Sequence, residues 1–211
     1  MNLNDIRQDY MQRPFSIEGY QNSPIELLED WYSDAIKENI SLVNATTLST
    51  IGLDGKPNSR VVLTKSIDKN GITIFTNYQS TKGEELAKNP NVSLNIYWKE
   101  LDRQIRIKGE AKRISRKESQ EYFQSRPKDS QISATASHQS SEIDADILSK
   151  RVKELKLEYQ NQEKLPCPPN WGGYLINIDQ IEFWQGRPNR LHDRYQFKRD
   201  NCNWVVSRLS P

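Results

Sequence analysis

One stretch of the sequence, residues 181–194, concentrates side chains that can contact a ligand. It contains His192, one of only two histidines, between Arg190 and Arg194, with Trp184 a few residues earlier. A strand-like run leads into the stretch and another follows, while a glycine and a proline interrupt the regular structure between them. Polar groups crowded at such a turn can be held rigidly around a ligand. The stretch alone fits a surface hairpin with ordinary salt bridges equally well.

Two side chains of this stretch suit a flat, polar ligand. The cations on either side of His192 favour its neutral form, which can donate or accept one hydrogen bond at a ligand ring. Trp184 at a strand end can stack on such a ring, although packing is the commoner role of a tryptophan.

Basic residues elsewhere in the chain are candidate anion ligands. Arg60 and Lys65 are five positions apart, which points them to opposite faces of a regular strand and allows them to bind two different anions. Both also fit surface charges at strand ends. Lys82 lies in the first turn of a short predicted helix beside Gly83, where free N–H groups and the helix dipole favour a phosphate.

A further candidate phosphate site spans a proline break. Tyr122 and Arg126 are four residues apart, so a helix presents both on one face. Ser130, just beyond the break, can complete a three-point cradle for a phosphate. Such pairs also arise by chance, and Gln139 and Ser140 in the following serine-rich loop indicate nothing by themselves.

Capping signals predict the helices that must position these residues. Ser23 with Pro24 and Glu26 starts a helix that runs to about residue 38. Thr81 and Glu84 form a possible capping box for a short helix, and residues 115–118 form another for a helix that ends near residue 126. Residues 128–141 are predicted to form a loop. A longer helix follows, with one apolar face made by Ile143, Ile147, Val152, Leu155 and Tyr159.

Short alternating segments between these helices predict an antiparallel sheet. Asp54-Gly55 and Asn70-Gly71 are hairpin turns, so the first three strands are expected to form a meander. Residues 165–173 form a stiff connector. The predicted strands are residues 43–51, 60–65, 72–76, 92–98, 104–114, 174–184, 193–198 and 204–208. The fold class is therefore mainly β with helices, an antiparallel closed or nearly closed β-barrel. Residues 1–22 are expected to form a flexible N-terminal arm, and residues 23–211 a single domain.

Composition excludes several classes of protein. The 211 residues include 30 Lys and Arg against 28 Asp and Glu, so the formal net charge is only +2. A general nucleic-acid or anionic-membrane binder needs a clustered basic excess, and we expect neither partner. Only 35% of the residues are hydrophobic, which leaves room for burial at a homodimer interface.

Cysteine and histidine usage indicates a reducing compartment and no metal site. Cys167 and Cys202 form no CxxC pair, and two histidines do not make a zinc set. No apolar run approaches the ~18 residues of a membrane span, and the N-terminus lacks the apolar region of a signal peptide. The expected location is cytoplasmic.

Several of these segments, in this order, resemble the pyridoxine (pyridoxamine) 5′-phosphate oxidase family. The resemblance covers nearly the whole chain, from Arg7 to the terminal Arg208-Leu-Ser-Pro211. Any one segment is weak, but the ordered set is highly specific. The segments are residues 60–65, 75–77, 122–132, 139–141, 171–173, 181–186 and 190–194.

The resemblance implies a fold, a cofactor and a reaction. The fold is a split β-barrel, and the assembly is a homodimer with FMN at the subunit interface. The reaction oxidises pyridoxine or pyridoxamine 5′-phosphate to pyridoxal 5′-phosphate, with a hydride passing from the C4′ carbon to FMN and O2 being reduced to H2O2. The cofactor performs the difficult step, while the protein stacks the rings and anchors each phosphate.

The resemblance also implies which residues bind FMN. Arg60 and Lys82 correspond to the ligands of its phosphate, and the partner subunit supplies part of the flavin site. The positions implied to contact FMN are Arg60, Val61, Val62, Leu63, Thr64, Lys65, Phe75, Thr76, Thr81, Lys82, Gln104, Gln139, Ser140, Trp184 and Arg194.

The substrate site is implied in the same way. Its phosphate would be held by Lys65, Tyr122, Arg126 and Ser130. Arg190, Leu191 and His192 would lie at the substrate ring, with Arg190 positioning the substrate and stabilising charge, and His192 orienting it as a hydrogen-bond partner. Arg7 and Tyr10 would fold over the pocket as a lid.

Two positions depart from the family pattern. Relatives often have a second basic residue where this chain has Thr81, and the loss of a charge-assisted contact, worth about 1.5–3 kcal/mol, is expected to weaken FMN binding unless the hydroxyl compensates. Some relatives have an acidic residue before the first barrel strand, whereas this chain has Leu42-Val43-Asn44. We therefore assign no catalytic carboxylate.

Two other functions remain open at this stage. A different split-barrel flavoprotein, such as a flavin reductase, would bind FMN but ignore vitamin B6 phosphates, and it would not need the residue 122–130 cradle. A non-catalytic protein that stores or delivers pyridoxal 5′-phosphate would bind that compound without turnover.

Overall fold

The computed structural model describes Tyr10 and residues 14–211. Its helices are α1 (Pro24–Lys37), α2 (Thr81–Lys88), α3 (Arg116–Ser125), α4 (Lys128–Ala136) and α5 (Ala145–Glu158). Its strands are β1 (Ala45–Ile51), β2 (Pro57–Leu63), β3 (Ser66–Asp68), β4 (Gly71–Asn77), β5 (Asn91–Trp98), β6 (Arg103–Arg113), β7 (Trp171–Gln185), β8 (Asp193–Asp200) and β9 (Asn203–Arg208).

The strands form one curled antiparallel sheet, as the fold class predicted. The main path runs β2-β1-β5-β6-β7-β4-β3, and β8 and β9 continue from β7. Strand β7 pairs with β6 along most of its length. Its other edge pairs first with β4 and then, from residue 180 onwards, with β8. One long strand therefore joins the main barrel path to the C-terminal hairpin.

The expected meander of the first three strands is wrong. β1 and β2 pair across the Asp54-Gly55 turn, but β4 pairs with β3 and β7. The chain passes from the β1 side of the sheet to the β4 side between two residues. The N–H of Thr64 donates to the carbonyl oxygen of Asn44, beside β1, whereas the N–H of Lys65 donates to the carbonyl oxygen of Thr73 in β4. The predicted strand over residues 60–65 therefore ends at Leu63.

Three helix predictions need correction in detail. Helix α1 forms, but Ser23 makes no side-chain capping bond. Helix α2 is capped by Ser80, whose hydroxyl accepts from the N–H of Gly83, and not by Thr81. Residues 128–136 form α4 where a loop was expected. Ile132 is buried there, and the Ser133 and Thr135 hydroxyls bond to carbonyl oxygens one turn earlier.

Two hydrophobic clusters hold these elements together. The larger fills the curled sheet and is closed by α1, whose Leu28 and Trp31 are buried against sheet residues such as Phe183. The smaller lies between α3, α4 and the start of β7, around Phe123, Ile132 and Trp171. The first cluster makes the barrel, and the second fixes the helices that border the candidate site.

The ends of other predicted elements also shift. β7 begins at Trp171, so the last three residues of the expected connector belong to a strand. The apolar face of α5 is only partly covered: Val152, Leu155 and Tyr159 pack on the second cluster, whereas Ile143 and Ile147 are exposed. Ile143 precedes the helix, which Asp144 caps.

The part of the predicted arm that the structure describes lies against the barrel. Phe15 packs on Trp31 and Tyr195, and its N–H donates to the Asp193 carboxylate. The Tyr20 hydroxyl donates to Asp30. Arg7 lies outside the described residues.

The described part of the chain contains neither a membrane-spanning helix nor a cluster of metal-binding side chains. No helix in it has the length and apolar character needed to cross a membrane. Within Tyr10 and residues 14–211, no group of three or more His, Cys, Asp or Glu side chains can hold a metal ion.

Gly109 marks a point where the sheet tolerates no side chain. The register between β6 and β7 shifts between Lys108 and Gly109, which is a β-bulge. A Cβ atom at Gly109 would lie 1.9 Å from the carbonyl oxygen of Asn177 on β7. The two longest strands therefore approach each other closely at this bulge.

We predict that Gly109→Ala destabilises the protein by at least the ~1–3 kcal/mol of overpacking, because the clash is with backbone and not with a movable side chain. Urea unfolding measures the change. Lys108→Ala, at the exposed neighbouring position, is the control and is expected to stay within about 0.5 kcal/mol of the parent. Equal unfolding midpoints for the two variants would show that the strands can separate without cost.

Candidate functional site

A cavity of about 740 Å³ opens between the β2 and β4 strands and helices α3 and α4. It brings together residues that are far apart in the sequence and that were predicted to bind a flavin or a phosphate. The predicted residues that line it are Val61, Val62, Leu63, Lys65, Phe75, Thr76, Lys82, Tyr122, Arg126, Ser130 and Gln139. Arg60, Thr64, Thr81 and Ser140 do not line it, but each is next in sequence to a residue that does.

Lys82 is a buried cation at one side of this cavity. It is 7% exposed, and its Nζ donates to the hydroxyls of Thr76 and Ser80, both at 3.3 Å. Burial lowers its pKa most, the charge of Arg60 lowers it further, and Glu85 opposes them. Among the described residues, Lys82 forms no salt bridge. A buried ammonium group with only neutral hydroxyl partners is suited to an anion.

Arg60 is close enough to Lys82 to lower its pKa, although it is not one of the residues that line the cavity. Its guanidinium donates to the Thr50 hydroxyl and to the Glu85 carboxylate, the latter at 2.7 Å. Thr81, next to Lys82, is exposed. Arg60 and Lys65 thus face different surroundings, as predicted, but because the strand ends between them and not because of strand parity.

The other side of the cavity carries the predicted phosphate cradle. The capping box of Ser115 and Glu118 fixes the start of α3, and Pro127 separates α3 from α4. This arrangement places Tyr122 on the last turn of α3, Arg126 at the extended residue that follows the helix, and Ser130 on the first turn of α4. All three line the cavity together with Lys65 from the β2–β3 crossing.

Arg126 has unused hydrogen-bonding capacity. Its guanidinium lies 5.0 Å from the centre of the Trp171 ring, and its Nη1 atom is buried without a hydrogen-bond partner among the described residues. Burial lowers the pKa of Arg126, against smaller opposing effects of Tyr122 and Cys167. A buried donor left unbonded is costly, so this atom favours an anionic ligand in the cavity.

Aromatic rings form the wall between the two basic sides. Phe75 stacks on Tyr122, with ring centres 3.8 Å apart, and on Trp171 at 5.5 Å. Strand β7 can pass close to these rings because Gly172 and Gly173 follow Trp171. A Cβ atom at Gly172 would lie 2.2 Å from the Tyr78 hydroxyl. The Gln139 Oε1 atom accepts from the Thr76 hydroxyl and from the Asn77 N–H. A flat ligand can lie along this wall.

The remaining predicted residues form a second group at the far end of β7. Trp184 pairs with Gln104 on β6 and with Arg194 on β8. The His192 ring lies 4.6 Å from Trp184, and the Tyr10 ring meets both edge-on. Arg194 bonds to the buried Glu182 carboxylate.

His192 is oriented by a backbone hydrogen bond, and its surroundings favour the neutral ring. Its Nδ1 accepts from the Arg187 N–H at 3.1 Å, which leaves the proton of the neutral ring on Nε2. Burial lowers the pKa of His192 most, followed by the charges of Arg190 and Arg194. The preceding turn is tight, because Asn189 and Arg190 both have positive φ angles. Leu191 is 66% exposed.

Asp193, to which sequence reasoning gave no role, ties this turn to the rest of the molecule. Its buried carboxylate accepts from Arg187, from Arg208 in β9 and from the N–H of Phe15 in the N-terminal segment. Glu85 was also missed, since the capping pattern drew attention to Glu84. In both cases the only sequence signal is a carboxylate beside predicted site residues.

The two groups do not meet within one chain. The first lines the 740 Å³ cavity, whereas Leu191 and His192 line a separate concavity of about 480 Å³ beside the C-terminal residues 208–211. The resemblance assigned both groups to one flavin and substrate site. A single subunit therefore presents two partial sites.

Comparison with protein families gives a match for each of two segments of the chain. Residues 32–159 match the family model described as pyridoxamine 5′-phosphate oxidase. Residues 171–211 match the model described as the pyridoxine 5′-phosphate oxidase C-terminal dimerisation region. The boundary between the matches falls in the connector before β7.

Individual relatives agree with these matches. The chain is 43% identical to pyridoxine/pyridoxamine 5′-phosphate oxidase of a Cyanothece species, with 100% of this chain and 99% of that protein covered. A solved structure of PhzG from Burkholderia lata, in complex with tetrahydrophenazine-1-carboxylic acid, superposes with a TM-score of 0.89 at 32% identity, covering 95% of this chain and 99% of that one. An FMN-binding protein related to pyridoxamine 5′-phosphate oxidase from Nostoc punctiforme shares the fold, with a TM-score of 0.75 at 14% identity over 90% of this chain and 98% of that one.

We predict that Arg190→Gln raises the pKa of His192 towards the ordinary histidine value, because it removes one of the two cations that lower it. Since the folded-state pKa is depressed, protonation of His192 lowers the stability of the folded protein as pH falls below the ordinary histidine pKa. The variant is expected to lose less stability over that range. NMR titration of the two histidines measures the change, with His138 as an internal reference. Lys198→Gln, exposed on β8, is the control. An unmoved His192 titration in Arg190→Gln would contradict the assigned cause.

Proposed function

Because the chain belongs to the pyridoxine/pyridoxamine 5′-phosphate oxidase family, we propose that it oxidises pyridoxine or pyridoxamine 5′-phosphate to pyridoxal 5′-phosphate. The enzyme is an FMN-dependent oxidoreductase in which O2 is reduced to H2O2. FMN, when bound, supplies the electron acceptor for the substrate and the group that reacts with O2. The side chains of this protein bind, orient and shield the reactants.

The residues on the first side of the cavity fit FMN. Lys82, with Arg60 beside it, is assigned to the cofactor phosphate, since a buried ammonium group with neutral partners requires an anion for full compensation. The flavin ring is assigned to the cavity wall formed by residues 61–63, Lys65, Phe75 and Thr76, with Gln139 at its edge and Ser140 next in sequence. Thr81 can contribute a hydroxyl to the phosphate where relatives have a basic residue.

The substrate phosphate is assigned to Lys65, Tyr122, Arg126 and Ser130. The observation that carries this assignment is the buried, unbonded Nη1 atom of Arg126 among the described residues. A phosphate oxygen would satisfy that donor with a charge-assisted hydrogen bond. The Lys65 ammonium and the Tyr122 and Ser130 hydroxyls line the same cavity and can share the remaining phosphate oxygens.

We assign the completion of each site to a second subunit. The match to a dimerisation region supports a homodimer. In the proposed dimer, Gln104, Trp184 and Arg194 of one subunit complete the flavin site of the other. Two apolar side chains, Val61 and Leu191, are 67% and 66% exposed in the single chain, one beside each partial site. Burying both against a partner would bring the two partial sites together.

The second group then lies at the substrate ring. Arg190 positions the substrate and stabilises charge at its hydroxyl or amine. His192, neutral and with its proton on Nε2, can donate one hydrogen bond there, which suits an orienting role better than that of an essential base. Tyr10 packs on His192 and Trp184 and, with Arg7, is assigned to a lid over the ring.

We further assign residues 23–211 to a single domain and the protein to the cytoplasm. Both hydrophobic clusters draw residues from distant parts of the chain, which is typical of one folding unit. Cys167 and Cys202 are unpaired, as is usual in a reducing compartment.

A steady-state assay with the purified protein tests the proposed function. We expect flavin absorbance after reconstitution with FMN, and O2 consumption when pyridoxine 5′-phosphate is added. Binding of pyridoxal 5′-phosphate without turnover would indicate a storage protein instead. Reduction of bound FMN by a nicotinamide cofactor, with no response to vitamin B6 phosphates, would indicate a flavin reductase.

We predict that Arg126→Ala raises KM for pyridoxine 5′-phosphate about 10- to 100-fold while FMN is retained, because one charged hydrogen-bond donor to the phosphate is lost. Steady-state kinetics and the flavin absorbance of the purified variant measure the two effects. Lys117→Ala, on the exposed face of the same helix, is expected to behave like the parent.

Pyridoxine without a phosphate provides a second control for the same variant. Its turnover is expected to be poor in the parent, because it has no phosphate for the cradle to bind, and to change little in Arg126→Ala. An equal KM increase for both compounds would show that Arg126 does not bind the phosphate. It would also favour a phosphate-free substrate class, such as the carboxylic acid in the PhzG complex.

A further inference from the structure

Glu85 is a buried carboxylate on α2 that lies behind the basic residues of the cavity. It is 2% exposed. Its Oε2 atom accepts from the Thr50 hydroxyl at 2.6 Å and from Arg60 at 2.7 Å, and its Oε1 atom accepts from the Asn58 amide at 2.7 Å. The carboxylate therefore connects α2 to β1 and β2 through three side chains.

We propose that Glu85 is a positioning residue that fixes the Arg60 guanidinium for the phosphate group of FMN. This inference rests on the proposed function, which assigns that phosphate to Arg60 and Lys82. Glu85 would act through Arg60 and would not touch the cofactor.

The hydrogen-bond geometry of Arg60 carries the inference. A guanidinium has five N–H groups in one plane. One Arg60 nitrogen donates to Thr50 and another to Glu85, and Thr50 in turn donates to Glu85. This closed set of bonds fixes the plane of the guanidinium, and its remaining N–H groups stay available for a second partner. An arginine fixed in this way loses less conformational entropy when it binds an anion.

The charges lead to the same assignment. Arg60 and Lys82 are close enough for the arginine to lower the pKa of the lysine, whereas Glu85 opposes that effect. Burial alone would raise the pKa of Glu85, but hydrogen bonds from Thr50, Asn58 and Arg60 more than offset it, and the pKa is lowered. An ionised Glu85 therefore lets two cations remain side by side before an anion binds.

Thr81 makes this arrangement more important in this chain. Thr81, which precedes Lys82, is exposed and carries no charge. Arg60 and Lys82 are then the only two cations assigned to the cofactor phosphate. The affinity for that phosphate therefore depends more strongly on the orientation of each cation.

Binding of FMN and of riboflavin to the apoprotein tests the proposal, with flavin fluorescence as the readout. Riboflavin lacks the phosphate, so it reports on the flavin wall alone. We expect Glu85→Gln to weaken FMN binding about tenfold, since the amide cannot accept from all three donors, and to leave riboflavin binding within about twofold of the parent. Glu84→Gln, exposed at the neighbouring position, is the matched control and is expected to leave both affinities unchanged.

Two results would overturn the inference. One is an unchanged or stronger affinity of Glu85→Gln for FMN, and the other is an equal loss for FMN and riboflavin, which would indicate a general structural role. If Glu85→Gln does not fold by circular dichroism, Asn58→Ala decides, because it removes one donor to Glu85 without altering Arg60. The FMN preference is the ratio of the affinity for FMN to the affinity for riboflavin. We expect Asn58→Ala to lower this preference about threefold, and an unaltered preference would refute the proposal.

The parent protein and Arg60→Ala separate this inference from the proposed function. A parent that binds FMN and riboflavin equally well would refute the assigned phosphate site itself. If the parent prefers FMN and Arg60→Ala loses that preference while Glu85→Gln keeps it, the site stands and only the role of Glu85 fails.

Discussion

The hydrogen bonding of β7 is the constraint on which the other features depend. Its 15 residues pair with β6 on one edge, and with β4 and then β8 on the other. The bulge at Gly109 lets the two long strands stay paired while their register changes. Trp171 at the start of β7 belongs to the large cavity, whereas Trp184 near its end belongs to the His192 group. Because these two residues lie near opposite ends of one strand, the strand that organises both groups also keeps them apart.

This separation explains why the enzyme is expected to work as a dimer. Each partial site has buried polar groups within one chain, but neither contains all the residues that we assign to the flavin and the substrate. The chain also leaves apolar side chains exposed beside each partial site. The modest share of hydrophobic residues is thus divided between an interior core and a surface that a partner can cover.

Buried carboxylates serve a common purpose on the two partial sites. Glu85 holds Arg60 beside the cavity, and Asp193 holds Arg187 and Arg208 around the turn that carries Arg190 and His192. In each case a buried acid accepts from at least three donors, which offsets the cost of its burial and orients the basic groups around it. Glu85 does not line the large cavity and Asp193 does not line the smaller concavity, which agrees with chemistry performed mainly by the cofactor.

The sequence by itself determined the fold class, most elements and the family. Those properties depend on local patterns: the turns at Gly55 and Gly71, the capping box at Ser115, and an ordered set of motifs that covers the chain. The tertiary structure alone decided the strand order, the helix over residues 128–136 and the split of the site into two groups. The chain switches edges at Thr64-Lys65 because of bonds to distant residues, and no local pattern encodes them. For the same reason, the role of Glu85 follows only from the folding of three separate elements around one buried carboxylate.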